Sequence, residues 1–428
     1  MNKIILSLAG VLAATAFAPE AAALPAFARQ TGMACSACHQ QHFPVLSKFG
    51  RAFKAGGYTM MGAQAKVEGD QLSIPDTLNG AILVKIRYQK DNGPATVDKT
   101  ASGAKNTTSD GMWQFGDELS LFFGGRVAEN IGFLFEGNTV APASLMAGLK
   151  IPVMFDVGAI RMSVIPFTTD ALSVQYGYEL SSGGVMRANR WAEHRRETSA
   201  VQYNADQGLN AGGATGFAFV AQNDLGFVSF TSWSPNYAMG GNGSTINSFD
   251  MSSRYFRIAA TPDVGDWAMV VGAGVMGGES LINDPVIPAT AASLVETKMT
   301  FADFQAHGAV GEKELGVYAQ YANAPVATNV AANGGSMYGA GVTARKAFTL
   351  GADYSLIPNV LSLGAAYRNA KNGGAADING DNAFTLTAVY DLAMNVALHA
   401  NFSKYSGSAH TATGAVTNQY TLLLEAAW

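Results

Sequence analysis

The sequence predicts an all-β fold, an antiparallel transmembrane β-barrel of about sixteen strands behind a short N-terminal helical module. Three observations lead there. Charged residues are only 14% of the 428, while Gly fills 48 positions and the apolar set reaches 48%. Mean hydropathy is +0.10, yet beyond the N-terminus no apolar run reaches the roughly 18 residues of a spanning helix. Segments of period two recur from residue 78 to the C-terminal Trp428. Low charge excludes a disordered or coiled-coil chain. A net charge of −5 with 27 Lys+Arg argues against a nucleic-acid partner, which needs a clustered basic surface.

Residues 1–23 read as a signal peptide: Lys3 supplies the positive end, residues 4–17 the apolar core, and Ala21-Ala22-Ala23 the small-residue cleavage site before Leu24. The protein is therefore expected to be exported.

Two cysteines follow, both in Cys35-Ser36-Ala37-Cys38-His39. C-x-x-C with His immediately after reads as an attachment site for one covalent haem c. Residues three apart share a helical face, so both thiols reach the vinyl groups of one porphyrin, and His39 offers its imidazole to the iron as proximal ligand. A thioredoxin-like pair would need a βαβ surround, and zinc would need further ligands nearby. For the distal ligand, His42 sits on the same side as His39. Met60 or Met61 suits better, because a returning chain can offer a thioether; both also serve as ordinary packing residues. Arg29 and Arg51 flank the motif and suit haem propionates, or are plain surface arginines.

The run from Leu24 to His39, with Phe49-Gly50-Arg51 and Gly56-Gly57-Tyr58 after it, resembles the mature N-terminus of the fused outer-membrane monohaem cytochrome–porins of iron-oxidising bacteria. The resemblance covers roughly forty residues and is architectural beyond them. It implies a Gram-negative outer-membrane protein whose cytochrome takes electrons from extracellular Fe(II).

The barrel is read from the residues themselves. Ile82, Val84, Ile86 and Tyr88 oppose Lys85 and Arg87; Leu172, Val174, Tyr176, Tyr178 and Leu180 oppose Ser173, Gln175 and Glu179. Leu361, Leu363, Ala365 and Tyr367 oppose Ser362 and Arg368; Val396, Leu398, Ala400 and Phe402 oppose His399, Asn401 and Ser403. Tyr420, Leu422, Leu424, Ala426 and Trp428 end the chain on an aromatic in phase with the apolar face, like the terminal strand of outer-membrane barrels. Short connections near residues 128–130, 222–224, 261–265, 311–313, 357–359 and 391–395 alternate with long ones at 91–111, 234–250, 278–295, 324–335, 369–382 and 406–418. Short periplasmic turns and long extracellular loops are the expected asymmetry.

The parity requires 181–212 to be one extracellular loop, the third, matching the constriction loop of general porins. It carries Arg187, Arg190, Trp191, Glu193, His194, Arg195 and Arg196, either folded into the lumen or facing lipopolysaccharide. His399 is expected on the lumen face. Asp110, Glu279, Asp284 and Asp381 are loop carboxylates able to meet Fe(II), or simply solvated.

The domain reading is a haem module at 24–65 and a barrel at 66–428. Forty residues build little core of their own, so the module is expected inside or beneath the barrel. The functional expectation is an electron conduit from extracellular Fe(II) through the haem to a periplasmic cytochrome or cupredoxin, in contact with outer-membrane lipid. Two alternatives stand beside it: a diffusion porin for anions or small solutes with an accessory haem, and electron export to an extracellular acceptor.

Overall fold

The computed structural model describes residues 25–41, 45–62, 64–93, 111–138, 146–180, 198–205, 212–237, 251–282, 293–328, 335–339 and 341–428. The signal-peptide and cleavage-site expectations, His42, Asp110, Asp284 and the charged run from Arg187 to Arg196 lie outside them.

Three short helices come first: Pro25–Thr31, Cys35–Cys38 and Lys48–Ala55. A hairpin of β1 (Lys66–Gly69) and β2 (Leu72–Pro75) follows, separate from the barrel sheet. The first stave starts at Gly80, within the alternating segment expected from residue 78. The first seven staves are β3 (Gly80–Asp91), β4 (Met112–Ala128), β5 (Ile131–Asn138), β6 (Met146–Lys150) continued by β7 (Val153–Val157), β8 (Ile160–Thr169), β9 (Ala214–Asn223) and β10 (Gly226–Ser234). After β11 (Ser253–Ala260), continued by β12 (Asp263–Val264), and β13 (Trp267–Gly277), two short strands β14 (Glu279–Ile282) and β15 (Ser293–Glu296) leave the wall. The wall resumes with β16 (Met299–Val310) and β17 (Lys313–Ala324). Past β18 (Gly335–Ser336) it is completed by β19 (Arg345–Ile357), β20 (Leu361–Asn372), β21 (Asn382–Ala393), β22 (Val396–Ser406) and β23 (Asn418–Ala427). Sixteen antiparallel staves close into a ring when β23 pairs with β3, Leu424 opposite Ile86. Closure pairs the backbone groups that lipid could not satisfy.

The burial pattern is inside out. Along β11, Ser253, Tyr255, Arg257 and Ala259 are buried, while Phe256 and Ile258 are 44% and 51% exposed. Along β19, Arg345, Thr349, Asp353 and Ser355 are buried and Phe348 and Leu350 exposed. A water-soluble sandwich would do the reverse. Apolar residues outward and polar ones inward define a barrel whose outer solvent is lipid, and the protein belongs in the outer membrane. The predicted outward faces are observed in β3, β20, β22 and β23, and His399 is buried on the lumen face.

One predicted strand is corrected. Leu172, Val174, Tyr176, Tyr178 and Leu180 are all buried, and so are Ser173, Gln175 and Glu179 between them. A 3-10 turn at Val174–Tyr176 replaces the strand. The stave is Ile160–Thr169, and the chain then turns inward, so both alternating sets meet protein instead of one meeting lipid. The count stays at sixteen because the third loop simply starts earlier.

The described parts of that loop lie against the lumen side of the wall. Tyr178 packs edge-on against Phe227 with ring centroids 5.0 Å apart. Glu179 accepts from Arg257 Nε at 3.0 Å, and Arg257 Nη2 donates to Asp303 at 3.0 Å, all three buried. Farther round the wall, against β17 and β19, the fully buried helix Ala200–Ala205 is anchored by Arg345, whose Nη2 donates to Tyr203 O at 2.8 Å. The guanidinium groups of Arg345 and Arg368 lie 4.3 and 4.5 Å from the Tyr203 ring. Apart from the wall sheet, β14, β15 and β18 form a small sheet whose Val295, with Met337 and Tyr338 next to it, is buried with the lumen residues.

Candidate functional site

The Cys35–Cys38 helix is a single turn. His39 N donates to Cys35 O at 2.9 Å, closing the turn, and Ser47 N donates to Cys38 O at 2.9 Å. Ser47 also caps the Lys48–Ala55 helix, accepting from Gly50 N at 3.2 Å, as N-cap hydroxyls do. The two thiols are part-buried and not joined in a disulfide. Burial pushes the Cys38 thiol above its ordinary range, and Cys35 beside it adds to the shift. The His39 ring is tied through Nδ1 to Val45 O at 3.2 Å. A carbonyl only accepts, so Nδ1 carries the proton and Nε2 is the nitrogen a metal would take. Two thiols on one turn with an adjacent imidazole in this tautomer fit a c-type haem.

The return segment lies along the first helix. Gln30 Nε2 donates to Tyr58 O at 2.7 Å and to Met60 O at 2.8 Å, and Gly62 N donates to Gln30 O at 3.1 Å. Met60 and Met61 thus run beside Gln30 and Thr31, with Met60 37% exposed. Phe27 stacks on Tyr58 with centroids 5.0 Å apart, and Phe53 meets both rings edge-on. This aromatic cluster is most of the module's own core.

The barrel supplies the rest of its support. The module sits in the mouth at the short-turn end and bonds to staves around the ring. Gln30 Oε1 accepts from Arg126 N at 3.2 Å, Gln222 Nε2 donates to Ala55 O at 2.8 Å, and Lys48 pairs with Asp263. Gln41 N donates to Glu314 Oε2 at 2.8 Å, and Gln41 Nε2 to Asp353 O at 2.9 Å. Gly132 passes so close that a Cβ would stand 1.8 Å from Gly57 O. Arg29 donates to Gly80 O and Arg51 to Ala268 O, so both arginines hold the wall. Alongside the Lys48–Ala55 helix a cavity of about 740 Å³ opens between the module and the rim, bordered by Arg51, Arg161 and Asp263.

The carboxylate expectations divide. Asp381 is engaged by Arg368, by Tyr203 Oη at 2.8 Å and by His410 Nε2 at 2.9 Å. Burial alone would raise its pKa, but the His410 bond and the Arg368 charge hold it below the usual carboxylate range. It is a structural anchor, with its oxygens already taken. Glu279 is exposed on β14. No metal-binding group of three or more His, Cys, Asp or Glu occurs among the described residues. His399 lies 3.9 Å from Glu425.

Sequence reasoning missed the groups that receive the module and the third loop: Gln41, Asp353, Glu179, Arg257 and Asp303. The wall members occupy ordinary inward positions of alternating strands, and nothing in a one-dimensional pattern marks which inward residues meet a plug.

No family model matches the sequence, and no curated protein matches it either. Solved structures similar to this chain include the trimer form of OmpT of Vibrio cholerae, at 12% identity and TM-score 0.48, covering 82% of this chain and 99% of that one. Another is the anion-selective porin of Comamonas acidovorans, at 14% identity and TM-score 0.46, covering 82% and 99%. The outer membrane channel DcaP of Acinetobacter baumannii stands at 11% identity and TM-score 0.45, covering 82% and 97%. At these identities none bears on what crosses this barrel.

Proposed function

We propose that this porin-type barrel is an electron conduit: one covalent haem c, held in the short-turn mouth, carries electrons from extracellular Fe(II) to a periplasmic cytochrome or cupredoxin. The observation that supports this most is the Cys-x-x-Cys-His turn with His39 Nδ1 held by Val45 O, in a module bonded to the barrel wall. Bound there, a haem supplies a one-electron couple. The chain's own part is binding and orientation. Cys35 and Cys38 would hold the macrocycle through thioethers, and His39 would ligate the iron through Nε2. Met60 or Met61, on the segment clamped by Gln30, would offer a thioether as the second ligand. The module in the mouth and the inward-turned segment from Leu172 to Leu180 narrow the lumen.

A second reading, a diffusion porin for anions or small solutes, draws on two observations. The lumen wall is polar, and the cavity beside the plug is open. Two measurements separate the readings. Outer-membrane protein from cells competent in cytochrome c maturation should stain for haem on a denaturing gel and be reduced by Fe(II). In planar bilayers it should lack the large, steady conductance of an open porin. An unstained band with porin-sized currents would favour diffusion. His39→Ala should still reach the outer membrane but lose the low-spin spectrum, and wild-type Fe(II)-driven reduction in that variant would defeat the conduit reading.

A further inference from the structure

The cavity beside the plug has a charged mouth and an apolar floor. It borders the Lys48–Ala55 helix at Arg51, Ala52 and Ala55, whereas Gly50 on another face of that helix meets the Cys38 carbonyl. At the mouth stand two ion pairs with exposed side chains, Lys48 with Asp263 and Arg161 with Asp156. Asp224, on the same lining, is exposed as well. Behind them Tyr178, Leu180 and Phe227 are buried, and so is Arg51, at 6% exposed. The floor is therefore apolar with one guanidinium set into it.

Arg51 is only partly satisfied. Its Nη2 donates to Ala268 O at 3.3 Å, while Nη1 has no hydrogen-bond partner among the described residues. No other described residue of the lining leaves a buried side-chain nitrogen or oxygen without one. Gln222, for example, accepts the Tyr178 hydroxyl at Oε1 and donates from Nε2 to Ala55 O at 2.8 Å. Asp263, whose charge acts on Arg51, is already paired with Lys48. A guanidinium stays protonated in proteins, and a buried charge needs a counter-charge or hydrogen bonds. We propose that this cavity binds a small organic carboxylate entering from the short-turn side: the carboxylate accepts from Arg51 Nη1, and the apolar body lies against Leu180 and Phe227. A space of about 740 Å³ suits a molecule with a body of its own rather than a lone inorganic ion. The acidic groups of the two mouth pairs are neutralised by their own partners and do not bar entry. The site goes beyond the conduit reading and does not depend on the haem.

The test uses the full chain purified from outer membranes, with benzoate as the probe and benzamide as its neutral counterpart of similar shape. Isothermal titration and saturation-transfer NMR read binding, and heat-modifiable migration reports barrel integrity in every variant. Benzoate should bind saturably and at least about tenfold more tightly than benzamide, the margin of one hydrogen bond between charged groups. Arg51→Gln should bring benzoate down to the benzamide level. Arg161→Gln, at the exposed mouth, should change benzoate affinity by less than about threefold. Ala52→Phe fills the cavity from an exposed position and should weaken benzoate binding by tenfold or more. No saturable binding to the wild type, equal affinity for benzoate and benzamide, or unchanged benzoate binding in folded Arg51→Gln overturns the proposal. A greater loss in Arg161→Gln than in Arg51→Gln would put the carboxylate at the mouth and overturn it too. If Arg51→Gln fails to fold, Ala52→Phe decides: undiminished benzoate binding in that variant overturns the site.

Discussion

Gly50 lies directly on the Cys38 carbonyl: a Cβ at position 50 would stand 2.0 Å from that oxygen and 2.9 Å from its carbon. The contact is backbone against helix, so neither side can rotate away. It sets the Lys48–Ala55 helix against the Cys35–Cys38 turn and keeps Ser47 within reach of Ala37 O at 3.0 Å.

Gly50→Ala should therefore push the helix off the turn. The barrel staves share no part of this contact and should insert normally. We expect haem stain per barrel to fall severalfold while heat-modifiable migration is retained; full haem loading in Gly50→Ala would show that the contact is not needed.

The third loop should be released by breaking its anchor in the lumen. Arg257→Met leaves Glu179 and Asp303 buried as adjacent carboxylates, and removing one partner of a buried pair costs about 3–5 kcal/mol. Heat-modifiability should be lost at a lower temperature, and bilayer recordings should show larger, noisier currents than wild type. Unchanged conductance would mean the loop is held in the lumen without this group.

The inside-out wall predicts opposite outcomes for neighbouring residues. Ile258 points to lipid and Ser229, on the adjacent strand, to the lumen. A lysine on the lipid face costs about 2–4 kcal/mol at the bilayer midplane, so Ile258→Lys should lower folding yield into vesicles. Ser229→Ala should leave it within error. Equal yields would contradict the assigned faces.

At the long-loop end, His410 is paired with Asp381, whose hydrogen bond raises the His410 pKa against the opposing pull of burial; the Val416 carbonyl adds support. A raised folded-state pKa gives stability that is complete below the unfolded value of about 6.5 and is lost as pH rises through the folded value. The melting temperature should fall across that window in wild type and show less slope in His410→Asn. A wild-type profile that is flat there, or that rises with pH, would refute the pairing.

The amino-acid sequence by itself determined the barrel, because a membrane wall writes its two solvents into alternate residues: Phe256 and Ile258 against Arg257, Leu422 and Leu424 against Thr421. Its spacing also put Cys35, Cys38 and His39 on one turn of chain, where the structure places them. What it misreported was the segment from Leu172 to Leu180, since alternation looks the same whether the second face meets water or another protein surface. Only the tertiary structure decided that this segment enters the lumen, that Asp381 is consumed by Arg368, Tyr203 and His410, and that Glu314 and Asp353 receive Gln41 just past the motif. Those contacts join residues hundreds of positions apart. Local pattern carries the solvent each side chain meets, whereas its partner is fixed only when the ring closes and the module enters its mouth.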